Sequence, residues 1–104
     1  MTATDFFDES GFVVLQADDA YSALQILQRE ASRLHVLFTD VNMPGSIDGL
    51  MLARHTRRIW PWMHLIVTSA RVTWGPGELP ENTRFFAKPY ELQLIDSHIR
   101  HLMM

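Results

Sequence analysis

Apolar positions along this chain keep two rhythms, one of roughly 3.6 residues and one of short continuous runs, and the two alternate. Residues 4–10, with Asp5, Phe6, Phe7, Asp8 and Glu9, predict a short helix closed by Gly11. "FVVLQA" (12–17) is apolar and β-branched and predicts a strand. "DDAYSALQILQREASRL" follows. Asp18 or Asp19 can cap a helix there, and Ala20, Ala23, Leu24, Leu27 and Ala31 fall on one helical face. "HVLFTD" (35–40) predicts a second strand, apolar enough to be covered on both faces. "MPGSIDG" reads as a turn into a helix over 48–58, which Pro61 prevents from running past Trp60. "HLIVTSA" (64–70) predicts the third strand. "RVTWGPGELPENT" holds two prolines and two glycines in 13 residues, so it predicts a loop with at most one helical turn. "RFFAK" (84–88) predicts the fourth strand. Pro89 ends it and opens a last helix with Leu92, Ile95, Ile99 and Leu102 on one face.

Strands that alternate with helices imply an α/β fold with a parallel sheet of about four strands flanked by helices. No internal repeat or low-complexity tract interrupts it, so residues 1–104 read as one domain. Chemistry in such sheets gathers outside the carboxyl ends of the strands. Asp40, Ser69 and Lys88 each close a predicted strand. Three strands thus bring an acid, a hydroxyl and a cation to one rim.

Composition narrows the field. With 47% apolar and 20% charged residues, the chain has the balance of a globular protein. A net charge of −3 offers no global field for nucleic acid. The absence of cysteine removes disulfides, thiol catalysis and zinc thiolates. No apolar run is long enough to span a membrane, and the N-terminal residues lack the pattern of a secretory signal. A cytoplasmic protein is expected, with no direct nucleic-acid or membrane partner.

A carboxylate at a strand mouth can attack phosphorus and form an aspartyl phosphate. A neighbouring lysine would neutralise the phosphoryl oxygens, and a small hydroxyl would donate to one of them. Asn42, two residues beyond the acid, can present its side chain or carbonyl to the same pocket. Mg²⁺ normally asks for one or two carboxylates besides phosphate oxygens.

"FTDVNMPGSIDGLMLA", "LIVTSA" and "FFAKPY", in this order and spacing, resemble the receiver domain of two-component response regulators, over about residues 4–103. The resemblance implies a flavodoxin-like fold. It implies that Asp40 is the phosphoacceptor, Lys88 the lysine of the site, Ser69 the switch hydroxyl and Phe85 the switch aromatic. It implies a cis peptide before Pro89, the third-helix glycine of the family at Gly49, Mg²⁺ as cofactor on Asp40 and Asn42, and a sensor histidine kinase as partner.

Two departures follow from the same comparison. A receiver opens with a central strand ending in an acidic pair. A strand takes about five or six residues and its crossover a dozen or more, whereas here 11 residues precede "FVVLQA". The match begins partway through the first helix, so the first strand and its acidic pair are missing and Mg²⁺ binding is expected to be weak. The Pro/Gly loop also replaces the fourth helix. Loss of a central strand leaves two rows of backbone groups unpaired. Three repairs are open: 12–17 slides over to pair with 35–40, a second chain fills the gap, or this chain is a fragment of a longer regulator. The first would bring Asp18 or Asp19 beside Asp40 as a substitute metal ligand, although helix capping is the plainer role for both.

His98 and His101 stand three apart on the last helix, but without a third ligand they do not make a metal site. Asp5, Asp8 and Glu9 read as a solvated helix face rather than metal ligands. "RHTRRIW" (54–60) reads as a solvated basic face rather than a nucleic-acid patch. Trp60, Trp62 and Trp74 read as covers beside turns, with Trp74 able to anchor an interface. Nothing points to a conventional metabolic enzyme. The leading expectation is a stand-alone receiver that takes a phosphoryl group on Asp40. The alternative is a phosphorylation-independent interaction or dimerisation module. In either case the chain is expected to self-associate, through exposed strand edges or the 84–103 face.

Overall fold

The computed structural model describes residues 1–42, 48–71 and 73–104. Helix α1 spans Ala3–Glu9 and α2 spans Ala20–Glu30, followed by a 3₁₀ turn at Ala31–Arg33. Then come strand β1 at Val36–Asp40, helix α3 at Gly49–Ile59, strand β2 at His64–Ser69, strand β3 at Thr83–Ala87 and helix α4 at Leu92–Leu102. The strands form one parallel sheet in the order β1-β2-β3. None of the described helices is long and apolar enough to cross a membrane.

Local sequence explains where the helices start and stop. Thr2, Asp19 and Asp48 each turn a side-chain oxygen onto a backbone N–H three residues ahead, the N-cap bond that satisfies a free helix donor. Asp18, the other acid considered for α2, leaves that role to Asp19. Gly11 takes a left-handed φ of 97°, which lets Gly11 N–H and Phe12 N–H return to the Asp8 and Phe7 carbonyls at the end of α1.

The central strand β2 divides the core by simple alternation. Leu65 and Val67 face a cluster built on α2 and α3, with Ala20, Ala23, Leu27, Leu52 and Ala53. Ile66 faces a second cluster with Phe7 of α1 and Ile95 and Ile99 of α4. Burial on both faces is why this strand reads as an unbroken apolar run.

The expected strand at 12–17 is not part of the sheet, so the described residues form three strands where four were expected. Phe12 and Val14 pack onto the α1/α4 cluster while Val13 and Leu15 are 86% and 47% exposed, so the segment keeps a two-residue alternation without a ladder. The reason is spatial. A cavity of about 700 Å³ has residues 11–17 along one side and 33–40 along the other. The segment does not slide onto β1.

Between β2 and β3 the described residues contain no helix, as the Pro/Gly content predicted. Arg54 and Arg58 of the basic run are exposed, but two of its arginines also reach main-chain oxygens. Arg54 donates twice to the Glu78 carbonyl, at 3.2 and 2.7 Å. Arg57 donates to the carbonyls of Pro61, Met63, Glu81 and Asn82. These two guanidinium groups tie the loop to α3 and substitute for the packing of a helix.

Candidate functional site

Asp40, Ser69 and Lys88 meet at the carboxyl rim of the sheet. Asp40 is the last residue of β1, and its carboxylate is held from two directions. The Asn42 backbone N–H donates to Oδ1 at 3.0 Å, and the Lys88 ammonium pairs with Oδ2. Lys88 follows β3 directly, and its N–H donates to the Ser69 carbonyl at 2.9 Å, extending the β2–β3 ladder by one rung. The Lys88–Pro89 peptide is cis, as the resemblance implied. Asp40 and Lys88 side chains are 30% and 40% exposed, so the site is open to a ligand while the ion pair is partly screened.

Gly49 fixes the Asp40 backbone. A Cβ built at this position would stand 1.7 Å from the Asp40 carbonyl oxygen and 2.8 Å from Thr39 Oγ1. Only glycine lets the first turn of α3 lie this close to the end of β1, and its N–H donates to the Val41 carbonyl at 3.0 Å. The expected Met43–Pro44–Gly45 turn between them lies outside the described residues.

Ser69 is buried and does not bond Asp40. Its Oγ accepts the Arg71 N–H at 3.0 Å, which holds the start of the β2–β3 loop. Phe85 lies half-buried on β3, with the Trp74 indole edge-on at 5.5 Å. The Arg71 guanidinium sits 4.4 Å from the centre of the Trp74 ring, and Glu78 bonds both Arg71 Nη2 and Gly75 N–H at 2.7 Å. Those two hydrogen bonds, the backbone one first, hold the Glu78 carboxyl below the usual range. Trp74 is therefore a cover for Phe85 inside the same chain.

Thr68 was not singled out from the sequence. It pairs in register with Asp40, and its buried hydroxyl has no hydrogen-bond partner among the described residues. Its position one residue before Ser69, on a strand already predicted, was the available signal. His98 packs against the Phe86 ring, with the ring centres 6.1 Å apart.

A Mg²⁺ set is not assembled. Among the described residues no three His, Cys, Asp or Glu side chains approach closely enough to hold a metal ion. Asp40 is a lone carboxylate already engaged by the Lys88 ammonium. The Asn42 N–H is used on Asp40, which leaves its oxygens as the atoms that could meet an ion. Asp19 is occupied as the α2 cap, which keeps its carboxyl below the usual range. Asp40 with Asn42 thus supplies a single carboxylate, the low end of what Mg²⁺ takes beside phosphate oxygens.

The sequence profile described as the response regulator receiver domain matches residues 1–78, three quarters of the chain. Solved structures agree on the fold. A response regulator receiver domain protein from Clostridium thermocellum superposes with a TM-score of 0.75 at 23% identity, covering 97% of this chain and 86% of that one. A CheY-like receiver domain protein from Methanospirillum hungatei gives 0.80 at 15% identity, covering 95% and 79%. The NtrX receiver domain from Brucella abortus gives 0.74 at 23%, covering 98% and 88%. The profile match ends inside the β2–β3 loop, before Phe85 and Lys88, and it is the fold that then returns Lys88 to the matched Asp40. On the profile match this chain belongs to the response regulator receiver domain family.

Proposed function

We propose that the chain is a signalling receiver that takes a phosphoryl group onto Asp40 from the phosphohistidine of a sensor kinase. The observation that carries this reading is the Lys88 ammonium on the Asp40 carboxylate, brought together from strands on opposite sides of β2. In the transfer, an Asp40 carboxylate oxygen forms a bond to phosphorus as the histidine N–P bond breaks, and the imidazole leaves with a proton. Lys88 then moves from the carboxylate to a phosphoryl oxygen, and the Ser69 hydroxyl, whose oxygen accepts the Arg71 N–H, donates its hydrogen to another. Mg²⁺ binding is weak, because Asp40 and Asn42 offer one carboxylate and an amide. The output is a protein contact on the 84–103 face, through which copies of the chain also associate, with Leu94 and Met103 exposed there. To test the transfer, the chain and Asp40→Ala are incubated with Mg²⁺ and phosphoramidate and read by intact mass. A single phosphoryl gain confined to the parent chain is the expected result. No gain in a folded chain overturns it.

A second reading is a contact module that works without phosphorylation. The incomplete metal set and the cavity beside β1 favour it. It expects partner binding that is equal in the parent chain and Asp40→Ala.

A further inference from the structure

We infer that the amino rim of the sheet, at the end opposite Asp40, is a docking site for an acidic segment of a partner protein that carries one large apolar side chain, and that mild acid strengthens the contact. Four cationic or protonatable side chains gather there. His64 opens β2, Arg84 is the second residue of β3, and His98 and His101 stand one turn apart near the end of α4. The Phe86 ring joins two of them. The Arg84 guanidinium lies 5.1 Å from its centre, and the His98 ring centre is 6.1 Å away. His64 and His101 are close enough to act on the charge of His98. Among the described residues none of the four is in an ion pair. Asp96, the one acid of α4, is engaged by Arg100 at 2.7 Å. A cluster of like charges without a counter-ion leaves its attraction for carboxylates unused.

A cavity of about 350 Å³ adjoins the cluster. His64 is on its wall, and so is Leu102, the neighbour of His101. Pro61, Trp62 and Met63 add apolar surface, and Trp62 is 55% exposed. Arg57 also reaches the wall. Its N–H groups are spent on the carbonyls of Pro61, Met63, Glu81 and Asn82, so it adds charge rather than free donors. The cavity therefore suits an apolar side chain. An exposed indole beside cations is also the make-up of an interface anchor point. Charge alone would take any polyanion. Charge beside an apolar cavity favours a polypeptide whose acids flank a large apolar residue.

Protons are linked to this contact. Burial and then Arg84, His101 and His64 oppose a proton on His98, and none of these neighbours is an acid. Arriving carboxylates offset the like charges, so binding draws a proton onto the imidazole. By linkage the affinity rises as pH falls through the histidine range. Glutamates of the partner keep their charge there, because they titrate about two units lower. A second copy is the less suitable occupant. Its exposed acids Asp5, Asp8 and Glu9 sit on α1, whose Phe6 and Phe7 rings pack on each other and into its own core. That helix brings charge without an anchor. The site shares Arg84, His98 and His101 with the 84–103 face, and it does not depend on phosphorylation of Asp40.

The test uses the full chain, ¹⁵N-labelled, and a synthetic peptide with two glutamates on each side of one leucine. Two control peptides replace the leucine with serine or the glutamates with glutamine. The expected result is saturable binding at about pH 5.5, with shifts centred on His64, Arg84 and His101, and affinity about tenfold lower at about pH 7.5, which matches one imidazole pKa raised by about one unit. Both control peptides bind at least about tenfold more weakly than the parent peptide. His98→Gln and His101→Gln, at half-buried and exposed positions, reduce the pH dependence while the chain stays folded. Phosphoryl gain at Asp40, read separately by mass, is unchanged in both variants, so failure of this site and failure of the phosphotransfer reading are told apart. The proposal is overturned by equal affinity at the two pH values, or by a serine peptide that binds as well as the leucine peptide. Dimerisation at about pH 5.5 without peptide, with the same resonances shifted, gives the site to a second copy and also overturns it.

Discussion

Lys88 places its ammonium on the carboxylate of Asp40, a residue 48 positions earlier, with the whole of β2 between the strands that carry them. The pair is exposed enough that its contribution to folding is about 0.5 kcal/mol. Lys88→Ala therefore leaves the urea midpoint nearly unchanged. The same change removes the cation that would hold a phosphoryl oxygen, so phosphoryl gain in the mass assay falls by at least about tenfold, the equivalent of one charge-assisted hydrogen bond.

Gly49 lies where a methyl group would overlap the Asp40 carbonyl. Gly49→Ala is expected to destabilise the chain by about 1–3 kcal/mol, the usual cost of overpacking. It also moves the end of β1, so chemical-shift changes centre on Asp40 and Val41. Denaturant unfolding and a ¹⁵N spectrum check both parts.

Ile66 is fully buried at the centre of β2. Ile66→Ala is expected to cost about 2–5 kcal/mol by leaving a cavity under α1 and α4. In a chain of this length that is a large share of the total stability. A fall in the melting temperature well beyond that of Lys88→Ala is the outcome to look for.

Glu78 joins Arg71 and Gly75, and through Arg71 it steadies Trp74 over Phe85. Glu78→Ala loosens this cover. With Trp60 and Trp62 replaced by Phe, Trp74 emission is expected to shift to the red and to become more accessible to acrylamide.

The His98 imidazole is held below its usual value of 6.5, first by burial and then by Arg84, His101 and His64. In the unfolded chain His98 takes up a proton near its usual pKa, whereas the fold resists it. This contribution to stability is therefore complete above pH 6.5 and is lost as pH falls through the depressed folded value. His98→Gln is expected to flatten that acid-side loss in a series of melts.

Much of the fold was legible because its signals are local. The apolar run 64–70 became β2, and the caps at Asp19 and Asp48 mark helices where periodicity begins. Asp40, Ser69 and Lys88 were found because a parallel sheet sends strand ends to one rim, although Ser69 bonds Arg71 rather than Asp40. Residues 12–17 were misread for a nonlocal reason. Their β propensity is real, but a strand exists only where a neighbour meets it across a ladder, and here a cavity intervenes. Arg54 and Arg57 looked like solvated charges because their carbonyl partners lie about 24 residues away, in a loop whose return path leaves no periodic trace.

The Asp40–Lys88 pair also spans the described sheet, from the end of β1 to the residue after β3. A ligand that draws Lys88 off Asp40 thereby loosens a tie between the two outer strands. By reciprocity, whatever tightens or loosens that tie changes the affinity for the ligand by the same factor.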